Sequence, residues 1–220
     1  MPTDSCTLTG KIDRGETDGR YAAVCDYKTG SPKLSLNEIM EGLSLQLITY
    51  LLALSKTKDT KDLLPAAMMY IYLHGRPKSI SVPPNGIPHA KEKENTNGIF
   101  LNDPDVLRTL DSQSGTDDGF IGVSYVKDGS VKKTSPVLTA EEFEALKALT
   151  EKILIRLYSR LESGEIAIHP VKNGTLSPCS YCPYRSICRF DPALPENSFD
   201  YISKVSDKTI REKLDEEMKR

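Results

Sequence analysis

Tryptophan is absent from this 220-residue chain, histidine occurs only three times, and long apolar runs are missing. A membrane-spanning helix needs roughly 20 consecutive apolar residues. The longest apolar stretch here, 43–54, is interrupted by Ser44, Gln46 and Thr49. The first residues also lack the basic start and apolar centre of a signal peptide. These absences predict a cytoplasmic protein that does not associate with membranes.

A basic charge excess is also missing, because 29 Lys and Arg residues face 31 Asp and Glu residues, for a net charge of −2. A domain that binds DNA by electrostatics alone is usually basic. Any DNA contact is therefore expected to be local or shared with a partner. The phosphate-binding pattern G-x-x-x-x-G-K-[ST] does not occur, which predicts no ATP site. The hydrophobic share of 38% and charged share of 27% are typical of a globular domain.

Cysteines are few and unevenly placed. Cys179, Cys182 and Cys188 lie within ten residues, whereas Cys6 and Cys25 occur singly in segments predicted to be strands. In a reducing cytosol such clustering indicates a metal rather than disulfides. Thiolates select an iron–sulfur cluster or zinc, and both normally take four ligands. His169 could complete a zinc site, but a lone histidine is more often a packing or surface residue. The same interpretation applies to His74 and His89.

The first part of the chain predicts two strands, 6–14 and 21–28, joined by a hairpin turn at 15–20. Ser35 and Glu38 have the spacing of a capping box, in which each residue's side chain bonds the other's backbone N–H. Apolar residues at helical spacing then predict one helix over 36–55. The continuous apolar run 66–73 predicts a buried strand.

The segment 75–119 is rich in Pro, Gly, Asn and Lys, and predicts a loose excursion with at most a short helix near 103–110. A hairpin is predicted over 120–126 and 131–134. A second capping box, Thr139 and Glu142, opens a long helix to about Ser163, and the charged tail is predicted to be helical from about 206. The resulting α/β architecture divides into a core, 1–170, and a cysteine-rich segment with a charged tail, 171–220.

Two carboxylates and a lysine supply the parts of a metal-dependent phosphodiesterase. Asp13 and Asp26 lie toward the ends of neighbouring predicted strands, and Lys28 follows two residues after Asp26, on the same face. Magnesium is usually held by one or two carboxylates, and an ammonium beside them can stabilise the developing charge. Gln46 and Tyr50 are four residues apart on one helix face. Separately, each motif has a simpler interpretation as a surface ion pair, a solvated helix residue or an aromatic at the edge of the core.

Three runs, GKIDRGE, AAVCDYKTG and GLSLQLITYL, together resemble the RecB-family nuclease module, with its G-x-x-D-R, D-x-K-[ST]-G and Q-x-x-x-Y patterns. The run PCSYCPYRSICRFD is similar to the closing segment of AddB subunits of bacterial AddAB helicase–nucleases. The resemblance implies a restriction-endonuclease-like mixed sheet flanked by helices, followed by a C-terminal cysteine-rich metal knot.

The same resemblance implies roles for individual residues. Mg2+ would be held by Asp13, Asp26 and the carbonyl of Tyr27, with Lys28 as the catalytic lysine and Gln46 and Tyr50 as the helix motif. Cys179, Cys182 and Cys188 would hold a 4Fe–4S cluster together with a distant upstream cysteine.

Three departures from the family pattern bear on these roles. Cys25 stands where the superfamily name implies proline. No cysteine except Cys6 is a candidate for the fourth cluster ligand, so the cluster is expected to be absent or incomplete in this chain. The family's helix upstream of the first strand is missing as well, which suggests a piece excised from a longer protein.

The function expected from these patterns is that of a magnesium-dependent DNA exonuclease domain. It would act on single-stranded DNA ends within a helicase–nuclease complex for double-strand break processing and recombinational repair, beside an AddA-like subunit. Alternatives are a Cas4-like or Dna2-like nuclease, or a degenerate nuclease fold that binds DNA or a partner. A zinc-ribbon interaction domain would leave the first fifty residues unexplained.

Overall fold

The computed structural model describes residues 7–30, 32–73, 96–116, 119–175, 177–195 and 197–219. Five strands form one mixed sheet in the order β1-β2-β3-β4-β5, and β6 and β7 form a separate parallel pair. The strands are β1 Arg14–Thr17, β2 Tyr21–Lys28, β3 Leu64–Tyr72, β4 Thr96–Leu101, β5 Val137–Leu138, β6 Val171–Lys172 and β7 Asp200–Tyr201. The helices are α1 Leu36–Met40, α2 Gln46–Leu54, α3 Pro104–Leu110, α4 Ala140–Glu162, α5 Arg185–Cys188 and α6 Asp207–Met218. The predicted mixed α/β architecture is confirmed.

Strand β2 lies inside the sheet, antiparallel to β1 and parallel to β3. Five consecutive residues, 22–26, are buried, as is usual for a strand covered on both faces.

The first strand differs from its prediction over 6–14, because pairing extends only over Arg14–Thr17. All of residues 7–10 are exposed, so that segment has no buried face to fix it in a strand. The carboxylate of Asp18 accepts the backbone N–H groups of Arg20 and Tyr21, which closes the turn into β2.

The single helix predicted over 36–55 is wrong, since the chain forms α1 and α2 with a turn between them. Gly42 has a φ of +81°, a conformation that favours glycine. Its N–H donates to Ile39 O at 2.9 Å, and the N–H of Leu43 donates to Glu38 O at 2.9 Å. These two bonds form a Schellman motif, which ends α1. As a consequence, Gln46 becomes the first residue of α2.

The predicted loose excursion, 75–119, is partly wrong. Residues 74–95 lie outside the described part of the chain, but β4 is an almost fully buried strand between β3 and β5. Gly98 allows this close pairing, because a Cβ there would lie only 2.5 Å from Cβ of Met69. The short helix predicted near 103–110 is confirmed as α3, which Asp103 caps by accepting the N–H groups of Asp105 and Val106.

The hairpin predicted over 120–126 and 131–134 is reduced to an isolated bridge between Tyr125 and Val131. Its arms also share the bond from Lys132 N–H to Ser124 O, at 2.8 Å, but form no regular strands. The chain then enters the sheet at β5, which pairs in parallel with β4.

The long helix and the helical tail are confirmed as α4 and α6. Thr139 and Glu142 form the predicted capping box at the start of α4. The helix packs against α2, α6, β3 and β5, and it buries Phe143 and Leu146. Within the described residues, no helix is both long and apolar enough to cross a membrane.

Candidate active site

Five residues singled out from the sequence converge where the C-terminal end of β2 meets the start of α2. Asp26 and Lys28 project from β2 toward α2, Asp13 immediately precedes β1, and Gln46 and Tyr50 occupy successive turns of α2. The turn at Gly42 separates α1 from α2, so Gln46 is the first residue of α2.

Gln46 bridges the carboxylate of Asp26 and the ammonium of Lys28. Its Nε2 donates to Asp26 Oδ1 at 2.7 Å, and its Oε1 accepts from Lys28 Nζ at 3.0 Å. Lys28 Nζ also lies 2.5 Å from Asp26 Oδ2, which closes a three-residue ring of contacts. The reverse orientation of the Gln46 amide would place its oxygen against a carboxylate and its nitrogen against an ammonium. Charge therefore fixes this amide in one orientation.

Asp26 is a buried carboxylate, and its side chain is only 4% exposed. Its Oδ2 atom is fully buried, and its one polar partner within the described residues is the ammonium of Lys28, which pairs with its charge. Burial of a carboxylate without full hydrogen bonding is costly. This carboxylate therefore already has a cation beside it in the form of Lys28.

Lys28 is held as an ammonium ion. Its contact with Asp26 raises its pKa above the ordinary lysine value, Tyr70 and Asp13 add smaller contributions in the same direction, and partial burial opposes them. The ring of Tyr70, on β3, lies 5.4 Å from Lys28 Nζ in a cation–π arrangement. Lys28 therefore carries a positive charge at neutral pH and is suited to stabilise negative charge.

Asp13 lies beside Asp26 at the sheet edge. Arg14 is paired opposite Cys25, so Asp13 follows on the side of Asp26. Its Oδ2 accepts the backbone N–H of Tyr27 at 3.2 Å, which fixes this exposed carboxylate at the residue that follows Asp26. The side chain of Tyr27 points elsewhere, and its hydroxyl accepts from Arg14 Nη1 at 3.2 Å.

Tyr50 is half-buried and belongs to the same network. Its hydroxyl accepts a hydrogen bond from Gln46 Nε2 at 3.2 Å. Its ring packs against Gly10, where a Cβ atom would lie 3.3 Å from Cε1 of the ring. Gly10 and Tyr50 thus bring the segment before Asp13 against α2.

Two residues at or near the candidate active site, Tyr70 and Glu38, were not identified from the sequence. Tyr70 is the parallel neighbour of Asp26 on β3 and faces the same side of the sheet. The sequence shows Tyr70 only as part of the apolar run 66–73. Which residue of β2 lies beside it depends on the register of the two parallel strands, and the sequence of one strand does not give that register. Glu38, assigned only to a helix cap, instead contacts the loop that precedes Gln46.

Comparison with known proteins gives the family. Over residues 3–189, the sequence matches the PD-(D/E)XK nuclease superfamily. The chain belongs to this superfamily. Its relatives include an ATP-dependent helicase/deoxyribonuclease subunit of Clostridium kluyveri, 33% identical over 94% of this chain, and the subunit of the same name from Desulforamulus reducens, 32% identical over 94%. The chain spans only 19% of the length of each of these relatives. The predicted resemblance to this nuclease family is confirmed, and so is the prediction that the chain is a nuclease.

The site offers two carboxylates as possible oxygen ligands of a metal ion. The described residues contain no group of three His, Cys, Asp or Glu side chains placed to hold a metal ion. Asp13 and Asp26 supply two carboxylates on neighbouring segments of the chain. Two carboxylates with several waters are a common ligand set for Mg2+, so the donor chemistry fits this ion.

A cleft of about 830 Å3 in the described residues does not lie at this site. It is lined by Tyr21, Ala23 and Cys25 of β2. Because side chains alternate along a strand, these residues face away from Asp26 and Lys28. Burial raises the pKa of the Cys25 thiol to about 11, so this thiol is a poor nucleophile at neutral pH.

The C-terminal metal knot is not observed. Cys179, Cys182 and Cys188 are free thiols on a short 3-10 turn, Pro178–Ser180, and on the segment through α5. They do not form a group placed to hold a metal in the part of the chain that is described. His169 Nδ1 lies 3.1 Å from Ser198 Oγ. Cys6, His74 and His89 lie outside the described residues.

Proposed function

We propose that this chain is a magnesium-dependent deoxyribonuclease domain that hydrolyses phosphodiester bonds at the site formed by Asp13, Asp26 and Lys28. The observation that best supports the proposal is the ring of contacts among Asp26, Lys28 and Gln46, with the carboxylate of Asp13 bound to the backbone of the residue that follows Asp26.

Asp13 and Asp26 would hold Mg2+, with the backbone carbonyl of Tyr27 as a proposed third ligand. Bound there, the ion supplies charge neutralisation at the scissile phosphate and a lower pKa for an attacking water. In the reaction, the water oxygen forms a bond to phosphorus and releases a proton to the solvent, the bond from phosphorus to the leaving oxygen breaks, and the leaving oxygen takes up a proton from the solvent.

Lys28 stabilises this reaction as a cation rather than as a base. Its ammonium is fixed between Asp26 and Gln46, so it needs little reorganisation when negative charge develops on the phosphate oxygens. Gln46 holds the carboxylate and the ammonium at a defined separation, and Tyr50 holds Gln46. This arrangement explains why a glutamine and a tyrosine four residues apart accompany the acidic motif.

The wider role is proposed from the relatives, which are named as subunits of an ATP-dependent helicase/deoxyribonuclease. We propose that the domain works within such a complex in the cytoplasm, beside an AddA-like subunit, as an exonuclease on single-stranded DNA ends during double-strand break repair. Within it, residues 1–170 would form the nuclease core and 171–220 the cysteine-rich segment and charged tail. The names of the relatives favour this assignment over a Cas4-like or Dna2-like protein.

Cys179, Cys182 and Cys188 are proposed as three ligands of a 4Fe–4S cluster, on the basis of thiolate chemistry and resemblance. The spacing of these free thiols suits the proposal, whereas their present arrangement does not form a metal site. No catalytic step is assigned to the cluster.

Cleavage of a labelled single-stranded oligonucleotide tests the proposed function. The purified chain should degrade it with Mg2+ and stop when EDTA is added, and Asp13→Asn should be inactive. Lack of cleavage by the wild-type chain, or cleavage that Asp13→Asn leaves unchanged, would contradict the proposal.

A further inference from the structure

The side chain of Glu38 does not form the capping-box bond that its position in the sequence predicts. In a capping box, the carboxylate of Glu38 would bond the backbone N–H of Ser35. Ser35 does cap α1 by accepting the N–H of Glu38, but the return bond is not formed. In α4, by contrast, both halves of the box are present. The Glu38 carboxylate is therefore directed to other partners.

Those partners lie in two distant parts of the chain. Glu38 Oε2 accepts a hydrogen bond from Ser44 Oγ at 2.9 Å. Glu38 Oε1 accepts one from Asn173 Nδ2 at 3.3 Å. One half-buried carboxylate thus joins the turn before α2 to the residue that follows β6.

The bond to Ser44 bears on the active site because Ser44 lies two residues before Gln46. The N-cap residue of α2, Leu45, makes no side-chain capping bond, so the start of this helix is not fixed by a local cap. The turn that leads into α2 is held instead by Glu38, through the Ser44 hydroxyl and through the bond from Leu43 N–H to Glu38 O. Gln46 itself is exposed, and packing contributes little to its position.

The bond to Asn173 connects the same turn to the C-terminal segment. A second bond of this kind runs from Asn37 Nδ2 to Ser203 O at 3.1 Å. Asn173 directly follows β6 and Ser203 lies near the end of β7, and these two strands pair with each other. Asn173 and Ser203 thus flank the cysteine-containing segment, and the two asparagine bonds attach both of its ends to α1.

We propose that Glu38 is a positioning residue that places Gln46 against Asp26 and Lys28, and that its bond to Asn173 makes this placement depend on the C-terminal segment. The catalytic part of the inference rests on the proposed nuclease function. The geometric part, that Glu38 and Asn173 determine the environment of the Gln46 amide, is independent of that function.

Two glutamines, Gln46 and Gln113, are present in the sequence, which allows a direct test. In protein labelled with 15N-glutamine, Glu38→Ala and Asn173→Ala should each shift the side-chain amide signal of Gln46 and leave that of Gln113 in place. Ser44→Ala removes only the contact to the turn and should shift Gln46 likewise, which covers the case in which Glu38→Ala does not fold. Glu41→Ala is the matched control, because the Glu41 side chain forms no hydrogen bond or ion pair within the described residues.

Nuclease kinetics provide the second readout. Glu38→Ala should lower kcat about tenfold, as expected for loss of a bond to a charged group, with KM within about twofold. Glu38→Gln should restore most of kcat, because its amide can accept from Asn173 and donate to the Ser44 hydroxyl. Glu41→Ala should retain wild-type kinetics.

The outcomes separate the two proposals. An unchanged Gln46 signal in Glu38→Ala and Ser44→Ala would overturn the positioning role, and an unchanged signal in Asn173→Ala alone would overturn the link to the C-terminal segment. Equal effects of Glu41→Ala and Glu38→Ala would reduce the result to a general charge effect and overturn the inference. A wild-type chain that does not cut DNA, but whose Gln46 signal shifts as expected, would refute the nuclease function and leave the positioning role standing.

Discussion

Replacement of Asp26 by alanine should abolish magnesium-dependent DNA cleavage while leaving the free energy of unfolding nearly unchanged. The reason is that Asp26 makes opposing contributions to stability. The bond from Gln46 to its charged carboxylate contributes about 1.5–3 kcal/mol. Against this stands the cost of burying the charge, several kcal/mol per ion, which the contact with Lys28 offsets only in part. After the replacement, the ammonium of Lys28 keeps its bond to Gln46, and its side chain is 30% exposed, so water can compensate for the lost carboxylate. The net change should therefore be within about 1 kcal/mol.

A second buried carboxylate provides the matched control. Glu142 is 6% exposed, like Asp26, but both of its oxygens are satisfied: Oε2 accepts the N–H of Thr139 at 2.8 Å, and Oε1 pairs with Arg211. Glu142→Ala removes a helix cap and leaves Arg211 without this partner. It should cost about 2 kcal/mol, discounted for the partial exposure of Arg211. Catalysis should persist, because Glu142 lies outside the site.

Thermal unfolding and cleavage of a labelled single strand, measured on the same preparations, distinguish the two carboxylates. For a chain of this size, about 2 kcal/mol corresponds to a fall in Tm of roughly 4–8 °C. Glu142→Ala should show that fall with near-normal turnover at low temperature, and Asp26→Ala should show the reverse. Full activity in Asp26→Ala would refute the active-site assignment. A loss of stability in Asp26→Ala as large as that in Glu142→Ala would show that Asp26 is a structural residue.

Further tests concern Lys28, Tyr50, Gly98 and the cysteine-containing segment. Lys28→Ala should retain Mg2+ binding in calorimetry but lose turnover, and equal loss of both would make Lys28 structural. Tyr50→Ala should reduce cleavage more than stability, whereas a fall of about 3–5 kcal/mol in unfolding free energy would identify Tyr50 as a core residue. Gly98→Ala should lower Tm by several degrees, because its Cβ would lie 2.5 Å from Cβ of Met69; an unchanged Tm would refute this packing. After anaerobic purification, iron and sulfide assays should find no intact 4Fe–4S cluster, and four of each per chain would show that Cys6 or another ligand completes the site.

Local patterns predicted the secondary structure well where the determining interactions are themselves local. The α4 helix has a cap and apolar spacing within its own sequence, and β2 is an apolar run ended by charged residues. The break between α1 and α2 was missed because apolar residues keep helical spacing through Gly42. The glycine was the only local signal, and the positive φ that it adopts could not be inferred from periodicity.

Strand β4 was missed for a different reason. Its sequence contains Asn97 and Gly98 and shows neither alternation nor a long apolar run. Asn97 is used instead to accept the backbone N–H of Leu34 through its Oδ1 at 2.5 Å, and Gly98 permits close contact with β3. Both roles depend on partners more than 25 residues away in sequence, so no window of sequence displays them.

The candidate site was largely predictable because its spacing rules are short. A separation of two residues on a strand brought Asp26 and Lys28 to one face, and a separation of four on a helix did the same for Gln46 and Tyr50. What the sequence could not provide was the bridging role of Gln46, the approach of Tyr70 and the redirection of Glu38. These are tertiary contacts, and they depend on the turn at Gly42 and on the parallel register of β2 and β3.

The proposed nuclease chemistry requires that Asp13 and Asp26 together bind a divalent cation. Anomalous diffraction from crystals grown with Mn2+, used in place of Mg2+, tests this most directly. We predict an anomalous peak bound to carboxylate oxygens of both Asp13 and Asp26, and no such peak in crystals of Asp26→Ala. Absence of the peak from the wild-type protein, or a peak bound to neither carboxylate, would contradict the proposal.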